Sequence, residues 1–242
     1  MTKQNDKYLR FKEVCNRYRL KEKDMRFLWK NVKTIFCHEE FQKRMQDPFW
    51  HHQDVTIGEH ILGDTILAYK VCKSKNKDDN FIKRTLYISM FHDLYVQSWM
   101  IYHKKEYFIN SHAFSHPIEA IVNAITWFPQ CFADLEDAKI IIDGVLHHMY
   151  PCPVRAFTSL KWEIFNAALY EKLDDKYKTI ITCSLAPCLF KNMSLRKSFY
   201  LEGRILSHVD KVITMKKDLR GKKVFGACKT LLFAVAGRNK VS

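Results

Sequence analysis

The sequence predicts an all-α protein, and three observations carry the prediction. Glycine and proline are scarce, 7 and 6 among 242 residues, too few breakers for a turn-rich β architecture. Hydrophobic residues make up 47% of the chain and aromatics 14%, which suits a packed core and argues against disorder. Apolar residues recur at helical spacing along most of the chain. The length is ample for a sizeable core, and residues 1–242 are read as one domain. No apolar run approaches the roughly 18 residues of a membrane helix, so no membrane partner is expected. The opening MTKQNDKYLRFKE is charged and lacks an apolar signal region, which points to a cytoplasmic location. The 8 cysteines show no CxxC and no framework spacing, so they read as reduced and mostly buried thiols.

The elements follow in order. Residues 5–46 read as helical, with Leu9, Val14, Tyr18, Met25, Leu28, Trp29, Val32, Ile35 and Phe36 set among charges. Asp47-Pro48 breaks that pattern, and His51 and His52 fall in the loop beyond it. Thr56 with Glu59 forms a capping box that opens a helix to about Lys73. His60, Asp64, Leu67 and Val71 share one face of that helix. KSKNKDDN (73–80) is a polar connector. A central helix is predicted from about Phe81 to Tyr102, with Leu86, Met90, Phe91 and Leu94 on its buried side. Residues 103–116 are irregular, and Pro117 takes the first position of the next helix, with Ile118, Ile121, Val122 and Ile125 facing inward. Another helix runs from about Asp134 to Met149, with His148 on the stripe of Ile141 and Val145. Tyr150-Pro151-Cys152-Pro153 stops it. Residues 154–200 hold one amphipathic and one apolar segment, suited to core or to a partner surface. In the final helix, LEGRILSHVDKVITMKK, Leu206, Val209 and Ile213 make the buried stripe, bordered by Asp210 beside Lys211.

The chemistry centres on His92-Asp93 in SMFHDLY. An imidazole and a carboxylate inside an apolar helix are costly, the carboxylate most of all. Two readings are open: the pair is hydrogen-bonded within the core, or a divalent cation with further N and O ligands satisfies it. The chain offers such ligands in His60, His112, His116, the pair His147-His148 and Asp210. The net charge of +14 is concentrated at the ends. Residues 1–46 hold 13 Lys/Arg against 6 Asp/Glu and residues 191–242 hold 13 against 3. Basic ends around a near-neutral centre suit an anionic substrate steered to a metal site, or a nucleic-acid partner.

The order His60, His92-Asp93, Asp210 resembles the HD superfamily of metal-dependent phosphohydrolases. SHAFSHPIEAI is similar to the His-Pro helix start of larger members, and LHHMYP to their following histidine motif. HHQDVTIGEH resembles the lead-in of an uncharacterised bacterial branch. The resemblance covers roughly residues 40–153 and 200–216. It implies an HD-type helical bundle, with 154–200 as an insertion and a C-terminal extension. It implies that His60, His92, Asp93 and Asp210 hold one divalent cation. In the two-ion form, Asp93 bridges to a second cation on His116, His147 and His148. His112, His52 and Asp64 would stand behind the ligands or at the substrate, His112 by orienting His116. Asp93 and Lys211 are the candidate catalytic residues, Lys211 through a phosphate contact. His103 and Glu106 are candidate general acids.

The implied activity is hydrolysis of a phosphoester in a nucleotide or similar small phosphorylated compound. Mixed N/O ligation suits Mn, Fe, Co, Ni or Zn better than Ca. The Gly-Tyr-Pro motif of cyclic-di-GMP phosphodiesterases is absent after His148. The Glu-Asp pair of ppGpp hydrolases is absent between Leu94 and Trp99. The substrate therefore stays open. The competing function class is a non-enzymatic HD scaffold that binds nucleic acid or a protein partner through its basic ends.

Overall fold

The computed structural model describes residues 3–46, 50–52, 55–95, 112–152, 154–155, 167–186 and 193–218. Among the described residues the protein is all-α, with ten α-helices, one 3-10 turn and two short two-stranded ribbons. The chain falls into two units, Met1–Val209 and Asp210–Ser242.

The helical segment at the N-terminus is three helices, α1 (Lys3–Arg17), α2 (Glu22–Phe36) and α3 (Glu39–Arg44). Arg19 turns the chain between the first two in the left-handed region, φ 53°, an uncommon conformation outside glycine. The three pack through an aromatic cluster in which Phe36 meets Phe11 and Phe41, each at 5.5 Å between ring centroids. His51 and His52 lie on a short strand rather than in a loop. There β1 (Trp50–His52) pairs antiparallel with β2 (Val55–Thr56) and delivers the chain to the next helix.

That helix is α4 (Ile57–Ser74), and Thr56 caps it by accepting from the Glu59 amide at 3.2 Å. Only half of the expected box forms, because the Glu59 carboxylate pairs with Arg17 at 3.0 Å. The first half of α4 is buried nearly all round. A Cβ at Gly58 would come within 2.9 Å of the Met45 backbone nitrogen, so only glycine fits there. The buried stripe continues from Asp64 through Ala68 to Cys72, leaving Leu67 and Val71 half-buried at its edge.

The central helix, α5 (Asp79–Phe91), is capped by Asp78, whose Oδ1 accepts from the Phe81 amide at 2.8 Å. It ends at Phe91, short of the predicted Tyr102, and residues 96–102 lie outside the described part. The reason lies in two side chains that take over backbone partners a longer helix would use. His92 Nδ1 donates to the Ser89 carbonyl at 2.7 Å, and Asn123 Nδ2 donates to the Leu94 carbonyl at 2.8 Å. The helix α6 (His112–Trp127) begins before Pro117, which sits inside it. The ring removes one early hydrogen bond, and burial of Ile118, Ile121, Val122 and Ile125 holds the helix through that point.

A 3-10 turn (Pro129–Phe132) follows, and Phe91 stacks on Phe128 and Phe132 at 5.6 and 5.5 Å. Burying a ring of that size contributes about 1.5–3 kcal/mol. The helix α7 (Leu135–Leu146) is capped by Asp134 on the Asp137 amide at 2.8 Å. It stops three residues before the predicted Met149, leaving His147 as its C-cap. A second ribbon pairs β3 (Val154–Arg155) with β4 (Met193–Ser194). Between them lie α8 (Ala167–Glu171) and α9 (Asp175–Leu185), the latter packed on α7.

The last helix is α10 (Leu201–Asp218). Its start crosses α7 at two glycines, since a Cβ at Gly203 would lie 2.6 Å from the Gly144 Cα. Arg84 ties the three helices, bonding Glu202 of α10 at 2.9 Å and Asp137 of α7 at 3.3 Å. Among the described residues no helix is long and apolar enough to cross a membrane. The described cysteines are free, and the expectation of mostly buried thiols holds for only two of them. Cys15 and Cys72 are buried, Cys37, Cys131 and Cys152 intermediate, and Cys183 exposed.

Candidate metal centre

Four separate segments of the first unit bring polar side chains into its apolar interior. The helix α4 contributes His60 and Asp64, which share a face at i and i+4. The end of α5 contributes His92 and Asp93, α6 contributes His116, and the end of α7 contributes His148. None of these six is more than 4% exposed.

They form two groups joined by Asp93. In the first, His60 Nε2 lies 3.3 Å from His92 Nε2 and 3.4 Å from Asp64 Oδ2. His92 Nε2 lies 3.5 Å from the same Asp64 oxygen. In the second, His116 Nε2 lies 3.1 Å from His148 Nε2. Asp93 divides its oxygens between the groups. Its Oδ2 is 3.4 Å from His60 Nε2 and 3.6 Å from His92 Nε2. Its Oδ1 is 3.3 Å from His116 Nε2 and 3.7 Å from His148 Nε2.

The ring tautomers follow from the backbone. Just past α5 and just past α7 stands a histidine whose Nδ1 donates to the carbonyl three residues back. His92 meets Ser89 and His148 meets Val145, each at 2.7 Å. A carbonyl only accepts, so Nδ1 carries the proton and the neutral ring presents an Nε2 lone pair. Those lone pairs point toward carboxylate oxygens. Ligand bonds of about 2.0–2.2 Å around one ion place neighbouring donors about 3–3.5 Å apart. The observed separations match that spacing, and the imidazole and carboxylate donors suit a divalent transition ion. These buried His/Asp groups can therefore hold metal.

Not every predicted ligand joins. His147 turns away from the cluster, its Nε2 donating to the Ser184 carbonyl of α9 at 3.0 Å. Burial, and then the nearby Arg196 charge, lower its pKa below the usual histidine range. Asp64, expected behind the ligands or at substrate, stands among the donor atoms instead. Asp210 is buried in α10 as the first residue of the second unit, and Lys211 beside it is half-buried. His52 lies on β1 and His112 opens α6, but their side chains lie outside the described part, as do His103 and Glu106 entirely.

Two features escaped the sequence reading. Tyr18 places its hydroxyl where a Cβ on Gly63 would be. Burial, and then the charge of neighbouring Asp64, raise its pKa. The second is a polar cluster around Asp143 of α7. Its Oδ1 accepts from Ser184 Oγ at 2.9 Å and from Arg196, and its Oδ2 accepts from Ser198 Oγ at 2.6 Å and the Phe199 amide at 2.8 Å. An acid inside the run IIIDGVL was the available signal. Comparison of the chain with family models, curated proteins and solved structures returned no match.

Proposed function

We propose that the protein is a metal-dependent phosphohydrolase of the HD type, acting on a nucleotide or similar small phosphorylated compound. The observation that supports this reading best is Asp93, whose two carboxylate oxygens are shared between two histidine groups. In this reading His60, Asp64 and His92 would hold one ion and His116 and His148 a second, with Asp93 contributing an oxygen to each. Divalent ions so bound supply Lewis acidity toward a phosphoryl oxygen and a nucleophile from water near neutral pH.

The rest is the work of the chain. The Ser89 and Val145 carbonyls fix the His92 and His148 rings with their Nε2 atoms inward. Burial keeps bulk water from the carboxylates, which strengthens their interaction with positive charge. The basic ends would draw an anionic substrate in.

The test is metal analysis of the purified protein followed by a hydrolysis screen over nucleotides and cyclic dinucleotides with Mn²⁺ or Ni²⁺. Metal-dependent turnover that disappears in Asp93→Ala is the expected result. A metal-free protein that binds RNA with a steep salt dependence would instead support a non-enzymatic scaffold.

A further inference from the structure

The turn that carries Asp93 is gripped from the far side by two buried side chains with no place among the ligands. When α5 stops at Phe91, the carbonyls that follow need donors from elsewhere. Asn123 of α6, fully buried, gives its Nδ2 to the Leu94 carbonyl at 2.8 Å. Arg44 of α3, also fully buried, gives its Nε to the Tyr95 carbonyl at 2.6 Å. The two carbonyls directly after Asp93 are thus held by two different helices. The Arg44 guanidinium is fixed in turn. It bonds the Glu40 backbone carbonyl and carboxylate, the latter at 3.1 Å, and lies 5.0 Å over the Trp127 ring. Tyr95, whose carbonyl Arg44 holds, sets its own ring edge-on to His116 at 5.7 Å.

Burying an arginine this completely is a poor route to stability, because apolar replacements of buried charges are often neutral or stabilising. Geometry is what the pair provides. The segment before Asp93 is pinned by His92 on Ser89 and the segment after it by Asn123 and Arg44, so the carboxylate has little freedom to swing. We infer that Arg44 and Asn123 are positioning residues that hold Asp93 across the two histidine groups. This rests on the metal-binding reading above. Partners of this kind, one layer behind a ligand, typically change metal affinity 10–100-fold when removed.

The experiment titrates the full chain with Co²⁺, followed by visible absorption and by metal content, alongside thermal unfolding. The variants are Asn123→Leu, which keeps the volume and removes the donor, and Arg44→Lys, which keeps the charge and loses the fork. Ile82→Val, at the other end of α5, serves as a control for packing loss. Asn123→Leu should bind Co²⁺ about 10–100-fold more weakly with an altered spectrum, Arg44→Lys should fall between it and the wild type, and Ile82→Val should lower only the unfolding temperature. Either positioning variant suffices if the other does not fold. Wild-type affinity and spectrum in the folded variants would overturn this inference alone. A wild-type protein that takes up no Co²⁺ would overturn the metal reading and this inference with it.

Discussion

Among the described residues of the first unit, the buried polar clusters around Asp143 and Asp93 differ in what surrounds the carboxylate. Around Asp143 every contact is a donor meeting an acceptor: two hydroxyls, an amide and a guanidinium converge on one carboxylate. Around Asp93 ring nitrogens and carboxylate oxygens gather at ligand spacing. Imidazole Nε2 atoms stand 3.1 and 3.3 Å apart in pairs and look onto carboxylate oxygens, with the His92 and His148 protons committed to carbonyls on the far side of each ring. The first arrangement gathers donors onto one carboxylate. The second gathers imidazole and carboxylate groups at a spacing that can hold a metal ion.

Matched substitutions break or sharpen that contrast. Asp93→Ala should reduce metal affinity by more than about 100-fold, beyond the usual effect of outer partners, while the chain stays folded. Asp143→Ala should do the reverse. Removing one member of a buried, hydrogen-bonded ion pair costs about 3–5 kcal/mol, seen in urea unfolding, with metal content per folded chain unchanged. Equal metal loss in both variants would erase the distinction.

The adjacent histidines allow the same comparison at one residue's separation. His148→Gln should release one ion, read as halved metal content. His147→Gln should lose only its bond to Ser184, about 1 kcal/mol, and keep both ions. Gly203→Ala probes how α10 is seated. Its Cβ would press on the Gly144 backbone at 2.6 Å, and overpacking of that kind costs about 1–3 kcal/mol in thermal or chemical unfolding.

Acid should act on the Asp93 cluster through its imidazoles. These bind metal only when deprotonated, so affinity should weaken as the medium becomes more acid. Metal retention measured by dialysis across pH 5–8 checks the direction, and retention that improved toward acid would contradict it.

Much of this was legible in the sequence. Thr56, with a capping side chain and Glu59 three residues on, announced the start of α4, and the stripe of Ile141 and Val145 placed His148 inward. His60 and the central pair stood out because polar groups in apolar runs need partners. What was not legible depended on contacts far along the chain. The turn after α5 is held by Asn123, 29 residues from Leu94, and His147 is bonded by Ser184, 37 residues away. Arg44, in the polar stretch FQKRM, gave no sign that it would be buried. Asp64 was legible too, since its i+4 spacing from His60 puts both on one face.

The most direct test is the metal content of the protein purified without chelators and then equilibrated with Mn²⁺ or Co²⁺, with anomalous scattering to place the ions. The account predicts about two ions a few ångströms apart, one on each side of Asp93. A single ion would contradict the bridging role of Asp93, and a chain that binds none would contradict the account as a whole.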